Sequence, residues 1–225
     1  MAAWNADPWL AAALAGGLAW AWRRSADRMA LLAGGAALAL ALLSPLCSLS
    51  VALFSARAGQ HMVILLAAAP LLALGLPGRR RIPSTGMIAT AAAAFTLLLW
   101  LWHLPGPYAA TFRSDVTYWA MHLSLLVSAI WLWRGLLLAA GARPEAVLPV
   151  GLATAIQMSA LGAFLTFAPR PLFAPHALTS LAWGLTPLED QQLGGLLMWV
   201  PGGLAFAGVA LGALVVAMRR GRFAA

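Results

Sequence analysis

The chain is 225 residues long, 63% hydrophobic and 9% charged, far too few charges to cover that much apolar surface in water. Its formal charge of +8 rests on arginine alone, with no lysine, and the arginines stand in short joints between apolar runs. That placement excludes a nucleic-acid surface, which would gather them into one stripe. A single cysteine excludes an internal disulfide framework and a CxxC metal or redox motif.

The apolar runs are continuous and rich in Ala, Leu and Gly, and they lack the alternation of an outer-membrane barrel. They predict an all-α, polytopic bundle of about seven transmembrane helices forming one domain over 1–225. The first span covers 8–22, with Trp9, Trp20 and Trp22 at interfaces, and stops at Arg23, Arg24, Asp27 and Arg28. It lacks a basic leader and is followed by further spans, so no cleavable signal peptide is expected. The second covers 29–46. A polar-tinged stretch through Ser55 and Arg57 reads as a partial helix or an extension of the third span, 61–76, which ends at Pro77-Gly78. The fourth covers 87–104 and breaks at Pro105-Gly106-Pro107; the fifth covers 116–138 and the sixth 147–167. A proline-rich connection then leads to the seventh span, 193–218.

With seven spans, the odd-numbered joints and the C-terminal tail carry Arg23, Arg24, Arg28, Arg79, Arg80, Arg81, Arg143, Arg219, Arg220 and Arg222, and Arg134 snorkels to the same side. Arg57, Arg113 and Arg170 remain opposite, with Asp7, Asp115, Glu189 and Asp190. The bias makes the arginine-rich side cytoplasmic and puts the N-terminus outside. An even span count would scramble it.

This topology puts His61, His103, His122 and His176 all in the outer half. An ionisable residue in a span is a functional hypothesis by default, because lipid penalises its polarity. Imidazole suits copper, zinc and iron, while sulfur ligands select Cu(I). Neighbours on a helix point about 100° apart, so His61-Met62 and Met121-His122 are not chelates by themselves. A site would take one side chain from each of several helices. The candidates are His61, His103 and His122, with Met62, Met121, Met158 or Cys47 as softer, weaker partners. The structural readings stand beside these. His61 and His122 divide evenly between ligand and interhelical hydrogen bonding. His103, beside Trp102, leans to an interfacial anchor; His176, in the proline-rich joint, reads as solvated; the methionines and Cys47 read as packing. Gln157 lies deeper in span six. Glu189 and Asp190 suit the N-terminus of the last helix. No nucleophile triad, P-loop, dinucleotide fingerprint or HExxH is present, so no catalytic residue is assigned.

Three blocks carry a family resemblance. Gln60-His61-Met62 through Ala69-Pro70-Leu71-Leu72-Ala73-Leu74-Gly75 is the first, and Leu101-Trp102-His103-Leu104-Pro105-Gly106 with Met121-His122 is the second. The third runs from Gly162 to Pro171, then Trp183-Gly184-Leu185 and Glu189-Asp190-Gln191-Gln192-Leu193-Gly194-Gly195 to Pro201. Together they resemble, in order, the CtaG family of the caa3-oxidase type. The resemblance implies a bacterial inner-membrane factor that assists cytochrome c oxidase assembly through copper delivery or insertion, with oxidase subunits or other assembly factors as partners. It implies His61, His103 and His122 as copper ligands and makes Asp190 and Gln191 signature positions that bind or brace. Many members carry a further histidine one turn before the position of His61, where this chain has Arg57. Either Cys47 or a methionine substitutes for it, or the chain works without tight metal binding. Two other readings stay open: an electron-transfer protein with haem held axially by His61 and His122, and a metal-free assembly scaffold.

Overall fold

The computed structural model of the protein describes residues 3–78 and 81–221. Arg79, Arg80 and Arg222, counted above on the arginine-rich side, lie outside the described residues. Within them the chain is helical throughout and contains no strand. In order the helices are α1 (Pro8–Trp22), α2 (Arg28–Leu43), α3 (Pro45–Ala52), α4 (Phe54–Gly75), α5 (Thr85–Trp102), α6 (Pro105–Ala110), α7 (Asp115–Ala139), α8 (Pro144–Phe167) and α9 (Pro187–Arg219).

Helices α4, α5, α7, α8 and α9 are each long and apolar enough to cross a membrane. Large apolar side chains such as Leu97, Val127 and Leu204 stand exposed on them, as a lipid-facing surface requires. The expected second span is broken. Ser44 precedes Pro45, which pushes it out of the helical region to ψ 172°, and its hydroxyl then accepts the Leu46 N–H to start α3. The two pieces meet at 47° and make a sixth candidate only if taken as one bent span. Helix α1, with 15 residues, is about 22 Å long against a hydrocarbon core of about 30 Å. Length and composition thus give five spans, or six, where the sequence reading expected seven.

The polar stretch before the third expected span is part of its helix. α4 starts at Phe54, so His61 lies two turns inside it instead of at its mouth. Pro70 sits within α4 and is accommodated by a π-helical turn over Val63–Ala68. There the Ala69 N–H bonds to the Ile64 carbonyl, which frees the Leu65 carbonyl, and Trp133 Nε1 donates to that oxygen at 2.8 Å.

Hydrogen bonds between elements define two ends. Ser25 Oγ donates to the Gly75 carbonyl, Arg134 to the Ala73 and Leu76 carbonyls, and Arg220 to the Gly141 carbonyl. The joints bearing Arg23, Arg24, Arg28, Arg81 and Arg143 therefore gather at one end with the close of α9. At the other end meet the start of α4, the end of α5 and the starts of α7 and α9. The N-terminal segment is there too, its Asn5 N–H bonded to the Leu43 carbonyl. Between the ends, α8 and α9 pack through small residues: a Cβ added to Gly162 would lie 2.8 Å from the Gly195 carbonyl oxygen, and one on Gly195 would lie 2.7 Å from that of Gly162.

Candidate functional site

The non-arginine end is organised by two side chains at the start of α9. Asp190, wholly buried, accepts the Phe54 N–H at 2.7 Å and the Ser55 N–H at 3.0 Å. The carboxylate thus caps α4 from another helix, where its own N-cap residue, Leu53, offers no side-chain acceptor. Gln191 accepts the Leu172 N–H at 2.6 Å and donates to the Leu165 carbonyl at 3.1 Å, pinning the connection after α8. Both residues brace. The cap of α9 itself is Thr186 with Glu189, in a reciprocal capping box.

With α4 fixed in height, His61 faces His103, just past the end of α5, and His122, two turns into α7. The ring centres lie 5.9 Å and 5.5 Å from that of His61, and the rings are 2%, 5% and 3% exposed. His103 Nδ1 is 2.7 Å from the Leu99 carbonyl and His122 Nδ1 is 3.0 Å from that of Tyr118, each one turn back on its own helix. A carbonyl only accepts, so each Nδ1 carries the proton and each Nε2 presents a lone pair. This is the outer-shell arrangement common to metal-binding histidines. Both nitrogens of His61 are buried without a hydrogen-bond partner. A buried polar atom without a partner costs on the order of 1–3 kcal/mol, so a missing partner is indicated. The donors present fit a soft or borderline cation. Among the described residues, however, no group of three or more His, Cys, Asp or Glu side chains is drawn together closely enough to hold a metal ion.

The surroundings sort the remaining candidates. Cys47 is half-buried on α3, its Sγ 3.8 Å from the Tyr118 hydroxyl and 3.7 Å from Asn5 Nδ2, while the Tyr118 ring lies 4.3 Å from that of His122. Met62 and Met121 are buried in the core beside the histidines in sequence. Met158 fills the α8–α9 seam, where a Cβ on Gly202 would meet its Sδ at 2.6 Å. Gln157 accepts the Trp100 indole N–H at 3.0 Å.

His176 is a correction. Expected in solvent, it is 2% exposed, with Nε2 2.6 Å from the Tyr108 hydroxyl and its ring against Phe112. The proline-rich connection folds inward because Phe173 stacks on Phe54 at 4.3 Å between ring centres. Burial holds the His176 imidazole below its ordinary pKa, and it pushes the Tyr108 hydroxyl up.

Arg57 belongs to the polar stretch whose reading as an extension of the third span the structure bears out, and it is 1% exposed, one turn before His61 on α4. Its guanidinium donates to the Ser50 carbonyl and to Thr111 Oγ1, and lies 4.2 Å from the centre of the Phe112 ring and 5.2 Å from that of Tyr108. Cation–π contacts replace water around it.

A cavity of about 400 Å³ opens beside the cluster between α1, α2, α4 and α7, with Asp7, Trp9 and Trp119 among its walls and His122 at its inner side.

This end of the bundle brings together residues of all three sequence blocks: His61 from the first, His103 and His122 from the second, Asp190 and Gln191 from the third. The sequence profile of the cytochrome c oxidase caa3 assembly factors (Caa3_CtaG) matches residues 15–220. The chain belongs to that family. No curated protein and no solved structure matches it.

In this caa3 assembly factor, two further residues of the site stand outside the candidates read from the sequence. Gln60 bridges helices, its Nε2 2.8 Å from the Ala41 carbonyl and its Oε1 3.4 Å from His122 Nε2. Tyr108 holds His176. The signal for Gln60 in sequence is its place beside His61 in the first block, at the close of the polar stretch that α4 absorbs.

Proposed function

We propose that this caa3 assembly factor carries copper in transit at His61, His103 and His122 and passes it to an oxidase subunit. The observation that carries the reading is His61: an imidazole sealed in a bundle core with no partner for either nitrogen, flanked by two others whose Nδ1–H groups are committed to backbone carbonyls. Copper is the cargo. Three neutral imidazoles suit it, Met62 or Met121 would add the soft contact that Cu(I) prefers, and Cys47 stands nearer the rim beside Tyr118. Because the three rings are not already drawn into a closed site, the ion would be held weakly enough to leave by ligand exchange. The chain turns over no substrate in this reading.

The bundle crosses the bacterial inner membrane seven times in the same proposal, with α1 and the bent α2–α3 pair included. Its arginine end is cytoplasmic by the positive-inside rule, and its histidine end faces out, toward oxidase subunits or other assembly factors. A reporter fused after Arg81 should report the cytoplasm, and one fused after Pro175 the outside.

The haem alternative needs His61 and His122 on opposite faces of a porphyrin. Both rings are instead almost fully enclosed with their centres 5.5 Å apart, closer than about 6 Å for two imidazoles bonded trans to one iron. Metal analysis of protein purified with Cu(I) under reducing conditions tests the proposal. Copper bound by the wild type and lost from His61→Ala and His122→Ala is the expected result. Wild-type oxidase maturation in both variants at limiting copper would leave the metal-free scaffold.

A further inference from the structure

Gln60 stands one residue before His61 on α4, fully buried, and its amide has only one way to lie. Nε2 donates to the Ala41 carbonyl across the α2 interface at 2.8 Å. Turning it over would put Oε1 against the Ala41 oxygen. Its Oε1 therefore points at His122 Nε2, 3.4 Å away. His122 donates its Nδ1–H to the Tyr118 carbonyl, so Nε2 carries a lone pair as well. Two acceptors face each other in a buried place, beside a second imidazole, His61, with no partner at all. Neutral imidazole cannot resolve this by changing tautomer, because Nδ1 would then meet a carbonyl oxygen without a proton.

We propose that Gln60 Oε1 is a ligand to the cargo cation, completing a three-donor position with His122 Nε2 and His61. This rests on the copper-cargo reading and adds to it a residue and an order: His122, His61 and Gln60 hold the ion first, and His103 lies beyond His61. The spacing suits it. Two imidazoles bonded to one ion at about 2.0 Å have their centres about 3.1 Å from it, so a 5.5 Å separation corresponds to an N–metal–N angle of roughly 120°. That leaves room for a third donor in the plane. The cavity between α1 and α7 has His122 in its wall, so the position is also the one reached from outside the core. An amide oxygen is a hard donor and a weak partner for Cu(I), so it supports the ion without trapping it. Ligand softness at position 60 then sets how fast copper is released.

Two substitutions of similar size separate this from a purely structural role. Gln60→Leu and Gln60→Met both delete the bond to the Ala41 carbonyl, so any loss due to helix packing is common to both. Only methionine restores a donor, and a softer one. Cu(I) affinity and release are measured on the full chain in detergent, under reducing conditions, by competition with a colorimetric Cu(I) chelator. X-ray absorption on the loaded protein counts sulfur neighbours. The expected result is a roughly ten-fold weaker affinity for Gln60→Leu. Gln60→Met should bind at least as tightly as wild type, release more slowly, and show one additional sulfur neighbour. Leucine and methionine variants that behave alike, whether both impaired or both normal, overturn the assignment of Gln60 while His61- and His122-dependent copper binding leaves the cargo reading standing. A wild-type chain that takes up no Cu(I) removes both.

Discussion

Asp190 grips Ser55 twice, accepting its backbone N–H at 3.0 Å and its hydroxyl at 2.5 Å on one carboxylate oxygen, while the other oxygen takes the Phe54 N–H. The start of the last spanning helix thereby sets the start of α4, and with it the height of Gln60 and His61 one to two turns further on. An anion at a helix N-terminus is favoured by the dipole and by the orphan N–H groups, and more so where no water competes.

Replacing Asp190 with alanine should cost about 3 kcal/mol, because two buried N–H groups and a hydroxyl lose a charged acceptor together. Asp190→Asn keeps one acceptor oxygen and should lose roughly half as much. Thermal unfolding in detergent ranks the two. A wild-type Tm for Asp190→Ala would mean that α4 is held from elsewhere.

Trp133 has a similar task at the π-helical turn. Its indole N–H fills the Leu65 carbonyl that the turn leaves open. Trp133→Phe preserves most of the ring packing and leaves that oxygen without a donor in the core, which should cost roughly 1–3 kcal/mol. Pairing it with Pro70→Ala is the informative measurement. Once Pro70 is gone, α4 is free to close an ordinary α-turn over the same carbonyl, so the double variant should recover part of the lost stability. Strictly additive losses would show that the proline does not maintain the turn.

The spans that could be read from the sequence are those whose evidence is local. α5, α7, α8 and α9 appear as unbroken apolar runs and lie within a few residues of where they were expected. Where α4 begins is ambiguous in sequence, because Ser55 and Arg57 suit a partial helix as well as an extension of the third span; the polarity of these two and of Gln60 is absorbed by Asp190, Thr111 and Ala41, up to 135 residues away. Hydropathy carries no such term. His61, His103 and His122 were legible as a set because alternating spans bring them to one end. His176 was not, since its burial depends on the Phe54–Phe173 stack and on Tyr108, contacts that no window along the chain contains.

His176 gives the protein a pH dependence of known sign. Its folded pKa lies below the ordinary 6.5, chiefly through burial. Above pH 6.5 the imidazole is neutral folded and unfolded, so it contributes no pH dependence there. Below 6.5 the unfolded chain binds a proton that the folded one refuses, and stability falls as pH drops toward the folded pKa. Melts from pH 7.5 to 5.5 should show Tm declining on the acid side. His176→Gln, which can still bond the Tyr108 hydroxyl, should show a shallower decline. An unchanged slope would show that His176 does not carry the acid sensitivity.

Arg57 should weaken whatever cation the histidines hold. It is a permanent charge, sealed from water and one turn from His61, a separation of about 6–7 Å on a helix. At an effective dielectric near 20, that repulsion against a monovalent ion is about 2.5 kcal/mol, roughly a seventy-fold loss of affinity. Arg57→Gln removes the charge and can still donate to the Ser50 carbonyl or to Thr111 Oγ1, so it is the variant to compare. Cu(I) should bind it about seventy-fold more tightly and leave more slowly, and oxidase maturation should suffer from slow release despite better binding. Arg57→Lys, if it folds, keeps the charge and should stay near wild type in affinity. Equal Cu(I) affinities for wild type and Arg57→Gln would show that the buried guanidinium only packs the aromatic cage of Tyr108 and Phe112 and does not tune the site.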